Sequence, residues 1–312
     1  VRHPAYQLRP NKAVDRLTLV DAIRRLSKLT DLSEYTYFGL GGPYLEDFRL
    51  LYEFHPEMRM VSIEEDPETY KRQRFHRPCG VPNLVLKRTD SRSFLAHYEA
   101  GNQKSIFWLD YTGLEYPHFE EFAMLLGKVA SKSMVKITLR AEPKDYLRKG
   151  NEFREKFGAL MPNRSYDPPR VAAGFAQLVQ QMVRITSEDA LPSAMPLMFI
   201  PVSSFYYSDG TGMFTLTGLV WPRSEEWALR NCFRDWEFAN LHWARPRRID
   251  VPMLSTKERL HLQHRLPRSN AGRSLRRALG YLIDEDVRST EFKLGQYAQF
   301  HRHFPYFMKA IP

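Results

Sequence analysis

Cysteine is scarce, with only Cys79 and Cys232 in 312 residues. Two cysteines supply neither a disulfide framework nor a zinc site, so no metal is expected and the reading is two free thiols in a reducing cytosol. Long apolar runs are missing too; none reaches the length of a membrane span. The opening residues, Val1-Arg-His-Pro-Ala-Tyr-Gln-Leu-Arg-Pro10, lack the apolar centre of a signal peptide. These absences predict a cytoplasmic protein with no membrane partner. Acidic residues are in deficit, 36 against 46 Lys and Arg, for a net charge of +10. Such a surplus favours a polyanionic partner, nucleic acid first; a merely soluble basic protein is the competing reading. Internal repeats and low-complexity tracts are also lacking. What is present is 43% hydrophobic sequence, enough for a sizeable core and for one large domain plus an appendage.

The chain is organised around Tyr35 to Asp66. Tyr35 to Phe38 are aromatic and β-branched, as strand residues tend to be. Gly39, Gly41 and Gly42 allow a sharp turn and bring bare backbone close to a ligand; a purely structural turn is the alternative. Pro43 suits the first turn of a helix carrying Leu45, Phe48, Leu51 and Tyr52 inward. Met58 to Ile63 make a second strand. Glu64 ends it, 23 residues after Gly41, where an acid can accept hydrogen bonds from a ribose.

Upstream, Pro10 and Asn11 mark the start of a helix from about Lys12 to Leu29, buried along Val14, Leu17, Val20 and Ile23. Lys12 and Arg16 share one of its faces, either as solvated charge or as cations placed for an anionic ligand near the glycine turn. Downstream, Asp66-Pro67 leads into a basic helix-like run through Arg77. Leu84 to Leu86 form a third strand ending near Asp90, which can meet an exocyclic amine or cap the helix that follows. Ser105 to Leu109 read as a strand covered on both faces. Asp110 and Tyr111 then fall beyond its carboxyl end, where a substrate would sit in an open parallel sheet; a capping Asp and a loop Tyr are the alternative. A helix over Pro117–Ala130 precedes a fifth strand, Met134 to Leu139, which holds Lys136. A lysine there faces the crevice near the strand end or lies on a poorly covered face.

Residues 141–169 read as a polar insertion with a helix over Lys144–Leu160, either a lid or a solvated arm. Val171 to Ile185 form an amphipathic helix. Two β-rich runs flank Ser208-Asp-Gly-Thr-Gly212 and read as a hairpin. From Pro222 on, tryptophans and arginines dominate. Ser255-Thr-Lys-Glu258 resembles a capping box, and helices fit Ser274–Ile283 and Glu291–Phe300. This third reads as a small helical module. Arg245, Arg247, Arg248, Arg265, Arg268, Arg273, Arg276 and Arg277, interleaved with aromatics, suit nucleic acid; a packing appendage or dimer interface suits the same residues.

The order of strands, glycine turn, acids and terminal hairpin resembles the class I S-adenosylmethionine-dependent methyltransferases over about Pro10 to Pro222. The resemblance rests on Gly39-Leu-Gly-Gly42, Glu64, Thr89-Asp90, Asp110-Tyr-Thr-Gly113 and the hairpin. It implies an α/β fold: a doubly wound, mostly parallel seven-stranded sheet closed by an antiparallel hairpin. The domains would be 1–222, with the 141–169 insertion, and a basic helical module over 223–312. It also implies S-adenosylmethionine as cofactor, the Gly39–Gly42 loop at its amino-acid part, Glu64 on the ribose hydroxyls, Asp90 at the adenine amine, and Asp110 and Tyr111 toward the methyl acceptor; together with the Arg-rich C-terminal third, these motifs favour RNA as that acceptor. Tyr37 departs from the family, standing where an acid is usual two residues before the first glycine. Lys12, Asp110 and Lys136 resemble three of the four catalytic residues of RNA ribose 2′-O-methyltransferases; the fourth, a Glu, has no counterpart in Met213 to Val220. The alternative is a non-catalytic subunit on this fold that binds nucleic acid or a protein partner, including a second copy of itself. A dehydrogenase-like enzyme is a third reading, disfavoured by the hairpin.

Overall fold

In the computed structural model, the described residues are 9–78, 81–146, 150–162, 168–267 and 270–305. Cys79, Arg268, the aromatic end beyond Pro305 and parts of the 141–169 insertion lie outside them. The chain forms two compact units. One comprises residues 1–18, 207–210 and 248–312; the other comprises 19–206 and 211–247.

The larger unit holds the strands β1 (Tyr35–Leu40), β2 (Arg59–Glu64), β3 (Leu84–Arg88), β4 (Lys104–Asp110) and β5 (Met134–Arg140), all mutually parallel. Strands β6 (Leu197–Ser208) and β7 (Gly212–Pro222) form the hairpin, with β7 antiparallel to β5. The order is β3-β2-β1-β4-β5-β7-β6-β8, so the sheet has eight strands rather than seven. The extra strand is β8 (Arg247–Ile249), cut from the stretch that reads as a basic linker; three residues are too few to show alternation. At the hairpin turn Gly210 adopts φ 99°, which favours glycine.

Strand register sorts side chains onto two unlike faces. One face carries Phe38, Phe107, Leu109, Val135, Ile137, Leu139, Phe214 and Leu216, all in the core. It is packed by α4 (Ser91–His97), α5 (Tyr116–Lys128) and α7 (Ala172–Ala190) through Leu95, Phe119, Phe122, Leu125, Phe175, Leu178 and Met182. The opposite face is apolar near the strand starts, with Met60, Ile106, Met134 and Leu219, and polar toward the carboxyl ends. It carries Tyr37, Gly39, Ser62, Glu64, Trp108, Asp110, Lys136, Thr138, Thr215 and Thr217. The Trp108 indole donates to Thr138 Oγ1 at 2.9 Å, which lies 3.2 Å from Thr215 Oγ1.

The helices follow the sequence periodicity with shifted ends. α1 spans Pro10–Leu26 and α3 spans Pro67–His76, with Asp66 as its N-cap. α2 (Glu46–Phe54) starts three residues later than Pro43 suggests, because Leu45 takes a left-handed φ of 54° and ends the glycine loop. Among the described residues of the insertion, the α-helical part is α6 (Gly150–Phe157), flanked by 3-10 turns at Pro143–Asp145 and Gly158–Leu160. α8 (Glu226–Arg234) has no counterpart in the sequence reading. The smaller unit contains α9 (Thr256–Gln263), α10 (Ala271–Leu279) and α11 (Val287–Phe300). The capping box is real: Ser255 N–H donates to Glu258 Oε2 at 2.7 Å and Glu258 N–H to Ser255 Oγ at 3.2 Å. Among the described residues, no helix is long and apolar enough to cross a membrane.

Candidate active site

The parallel strands present their carboxyl ends at one edge, and β1, β2, β4 and β5 finish there at Leu40, Glu64, Asp110 and Arg140. Between β1 and α2 runs the glycine loop. Its conformation is set from below by α3. Gln73, fully buried, donates to Gly41 O at 2.6 Å and accepts from Ser62 Oγ at 3.2 Å. A Cβ on Gly41 would lie 2.1 Å from Ser62 Oγ and 2.7 Å from Gln73 Nε2. One on Gly39 would lie 2.8 Å from the Tyr37 hydroxyl. At both positions glycine makes room for the chain's own polar groups. Gly42 O accepts from Leu45 N–H at 3.2 Å and closes the loop.

Tyr37 gives its hydroxyl to Asp47 Oδ2 at 2.6 Å. A carboxylate therefore stands beside the glycine turn after all, supplied by the first turn of α2 rather than by β1. Glu64 is half-buried and accepts from Asp66 N–H at 2.8 Å. Burial pushes its carboxyl up to about 7, and the nearby carboxylates of Asp66 and Glu65 push the same way against the Asp66 N–H. Asp90 caps α4, its Oδ1 accepting Ser93 N–H at 2.7 Å; that bond holds its carboxyl below the usual range.

Asp110 closes β4 opposite Thr138 and is half-buried. Tyr111 turns inward. Its hydroxyl donates to Glu121 Oε2 at 2.6 Å, and its ring stacks on His118 at 4.0 Å. Burial, then the Glu121 carboxylate, raise its phenol well above the ordinary value. Glu121 Oε2 also accepts from Ser91 Oγ at 2.7 Å, so one buried acid ties the β4–α5 loop to the start of α4. His118 accepts Glu115 N–H at Nδ1 at 3.2 Å, and burial lowers its pKa against the pull of Glu121 and Glu115.

Lys136 is 1% exposed and sits mid-strand, its ammonium 5.0 Å from the Trp108 ring centre. It is neither at the strand end nor on a poorly covered face, because the polar face of β5 is itself covered. Lys12 and Arg16 lie on α1 in the smaller unit, at 5% and 8% exposure, which rules out solvated charge. Lys12 N–H donates to Asp209 Oδ2 at 2.9 Å, and the Asn11 side chain donates to Asp209 Oδ1 at 3.0 Å. The arginines divide: Arg245 and Arg247 belong to the larger unit, and Arg248, Arg265, Arg273, Arg276 and Arg277 to the smaller. Gln73, Ser62, Asp47 and Glu121 escape the sequence reading. The available signal is a polar residue at a buried helical spacing, as Thr69 and Gln73 are on α3 and Glu121 is four residues before Leu125 on α5.

No curated protein matches the sequence significantly. Among solved structures, Trm1 from Pyrococcus horikoshii with S-adenosyl-L-methionine aligns at 12% identity and TM-score 0.45, covering 67% of this chain and 55% of that one. The plantazolicin methyltransferase BpumL with SAH aligns at 12% and 0.43, covering 67% and 85%. A probable spermidine synthase from Corynebacterium glutamicum aligns at 12% and 0.40, covering 75% and 79%. This chain thus spans only about half of the Trm1 chain it matches. The family model described as "Putative O-methyltransferase" matches residues 4–312, and the chain belongs to that family.

Proposed function

We propose that the protein is an S-adenosylmethionine-dependent methyltransferase that methylates an oxygen of a nucleic acid, RNA foremost. The observation that carries the cofactor is Glu64: a half-buried carboxyl at the tip of β2, beside a glycine loop fixed by Gln73. Its raised pKa marks an acceptor short of donors, and two ribose hydroxyls would supply them. Asp47, held by Tyr37, is the carboxylate for the cofactor's ammonium, and Asp90 keeps its cap while facing the adenine side. When bound, S-adenosylmethionine supplies an electrophilic methyl on a sulfonium.

Methyl transfer needs alignment more than acid–base help. A hydroxyl acceptor must nevertheless shed a proton, and Asp110, at the edge of β4, is the group for holding or taking it. Tyr111 serves as an anchor for this loop through Glu121 rather than as a reacting group. Lys136 lies on the same face of the sheet as Asp110, two residues from Thr138, the β5 partner of Asp110, and over the Trp108 ring. The nucleic-acid acceptor is supported by the charge of +10 and the arginines of the C-terminal third.

The test is calorimetric titration of S-adenosylmethionine and its demethylated product, with Glu64→Ala as control, followed by transfer of labelled methyl to total RNA. Micromolar binding lost in the variant, with label in RNA, supports the reading. Absence of binding to either cofactor form refutes it. Binding without transfer to any acceptor would favour a non-catalytic subunit.

A further inference from the structure

Between α10 and α11 lies an open cleft of about 730 Å³, contained within the smaller unit. It is lined by Arg273, Ser274 and Arg277 from α10 and by Glu291, Phe292 and Gly295 from α11. The helices touch at its base, where Gly272 lets α10 approach the α11 backbone; a Cβ there would sit 2.0 Å from Glu291 O. Above that contact Gly295 leaves the floor open, since a Cβ added to it would meet nothing within 4 Å.

The charges are sorted. Glu291, the acid of the described lining, is held by Arg276 at 2.9 Å, with Arg273 more loosely at 3.9 Å. Arg273 and Arg277 are exposed at the rim. Phe292 is 42% exposed, and the Arg248 guanidinium lies 5.0 Å from its ring centre. Guanidiniums at the rim, an aromatic ring in the wall and room for a planar base are what an unpaired nucleotide needs. An acidic peptide would use the arginines but leave the aromatic wall and the open floor without a role.

We infer that this cleft docks a nucleotide of single-stranded nucleic acid, with Arg273 and Arg277 on phosphates and Phe292 stacked on a base. The inference rests on the nucleic-acid reading above and places the holding surface away from the glycine loop in sequence and in unit.

The test is fluorescence anisotropy of a labelled oligouridine 12-mer on the full chain across a salt series. Arg273→Ala/Arg277→Ala should weaken binding tenfold or more. It should also reduce the slope of log K against log salt by about 1.4, two contacts at about 0.7 each for single strands. Phe292→Ala should cost about fivefold or more. Gly295→Leu, a change to a better helix former that fills the floor, should block binding while thermal stability is kept. Calorimetric cofactor binding should be unchanged in all of these. Wild-type affinity in the variants, no binding of oligouridine, or preference for a polyglutamate peptide would each overturn the inference. Loss of cofactor binding on Glu64→Ala with oligouridine binding intact separates the two sites. Oligouridine bound in the cleft with no cofactor binding would refute the methyltransferase reading alone.

Discussion

Glu64 couples the site to pH. Its folded-state pKa of about 7 stands above the ordinary 4.5, so the folded protein favours the protonated acid. The stability this gives is full below about 4.5 and is lost as pH rises through about 7. Ligand-free protein should therefore lose stability over that window, and urea titrations at several pH values should show Glu64→Gln flattening the loss. Cofactor binding runs the other way. In the proposed site the ribose hydroxyls would donate to the carboxylate, so affinity should rise from pH 6 to 8 with proton release, visible as a buffer-dependent heat in calorimetry. Gly41 makes a steric prediction. Ala there drives a methyl into the Ser62–Gln73 pair, and overpacking of this kind costs about 1–3 kcal/mol. Gly41→Ala should lower the urea midpoint and the cofactor affinity together. An unchanged affinity would mean the loop can move without consequence. The glycines were legible in the sequence as a turn. Their reason was not, because Ser62 and Gln73 reach Gly41 only through the fold.

At the scale of elements, the sequence shows strands better than ends. Periodicity exposes the buried stripes of α5 and α7, since apolar spacing is a property of neighbouring residues. It misses the start of α2, which depends on Leu45 taking a left-handed conformation, and β8, which exists by pairing alone. It also leaves Lys136 ambiguous, because whether a strand face is covered depends on other elements. The join between β4, α4 and α5 is a case where one side chain acts for three elements. Glu121→Ala would leave the buried Tyr111 hydroxyl and the half-buried Ser91 hydroxyl without their acceptor, at about 1–3 kcal/mol for the buried group and less for Ser91. Glu121→Gln keeps an acceptor and should cost less. If both variants unfold at the wild-type denaturant midpoint, the clamp contributes nothing. If Glu121→Ala alone lowers kcat with KM unchanged, the loop bearing Asp110 and Tyr111 is what it positions.

For the whole molecule, charge and chemistry are separated along the chain. The parallel strands, glycine loop and acids fall within residues 19–206, and the α10–α11 cleft falls within 248–312. The sequence shows the charge surplus and the arginine-rich third. It does not show how those arginines divide, because contact, not position, decides that Arg276 pairs with Glu291 while Arg273 and Arg277 face the rim. Hydrogen exchange can read this separation directly. S-adenosylmethionine should slow exchange at the amides of Gly41 to Leu45 and at the end of β2, where binding orders the loop. It should also stabilise the protein by about 2.7 kcal/mol at 100 times its dissociation constant. A single-stranded oligonucleotide should instead protect α10 and α11, and that protection should fade as salt rises, because phosphate contacts release counterions. With both ligands present, additive footprints mean two independent sites. Extra protection at Asp110 to Gly113, seen only with both, would mean that the strand held by the cleft delivers its hydroxyl to the edge of β4. Protection by oligonucleotide confined to the larger unit would remove the cleft from the reaction and leave the sheet edge to bind the acceptor alone.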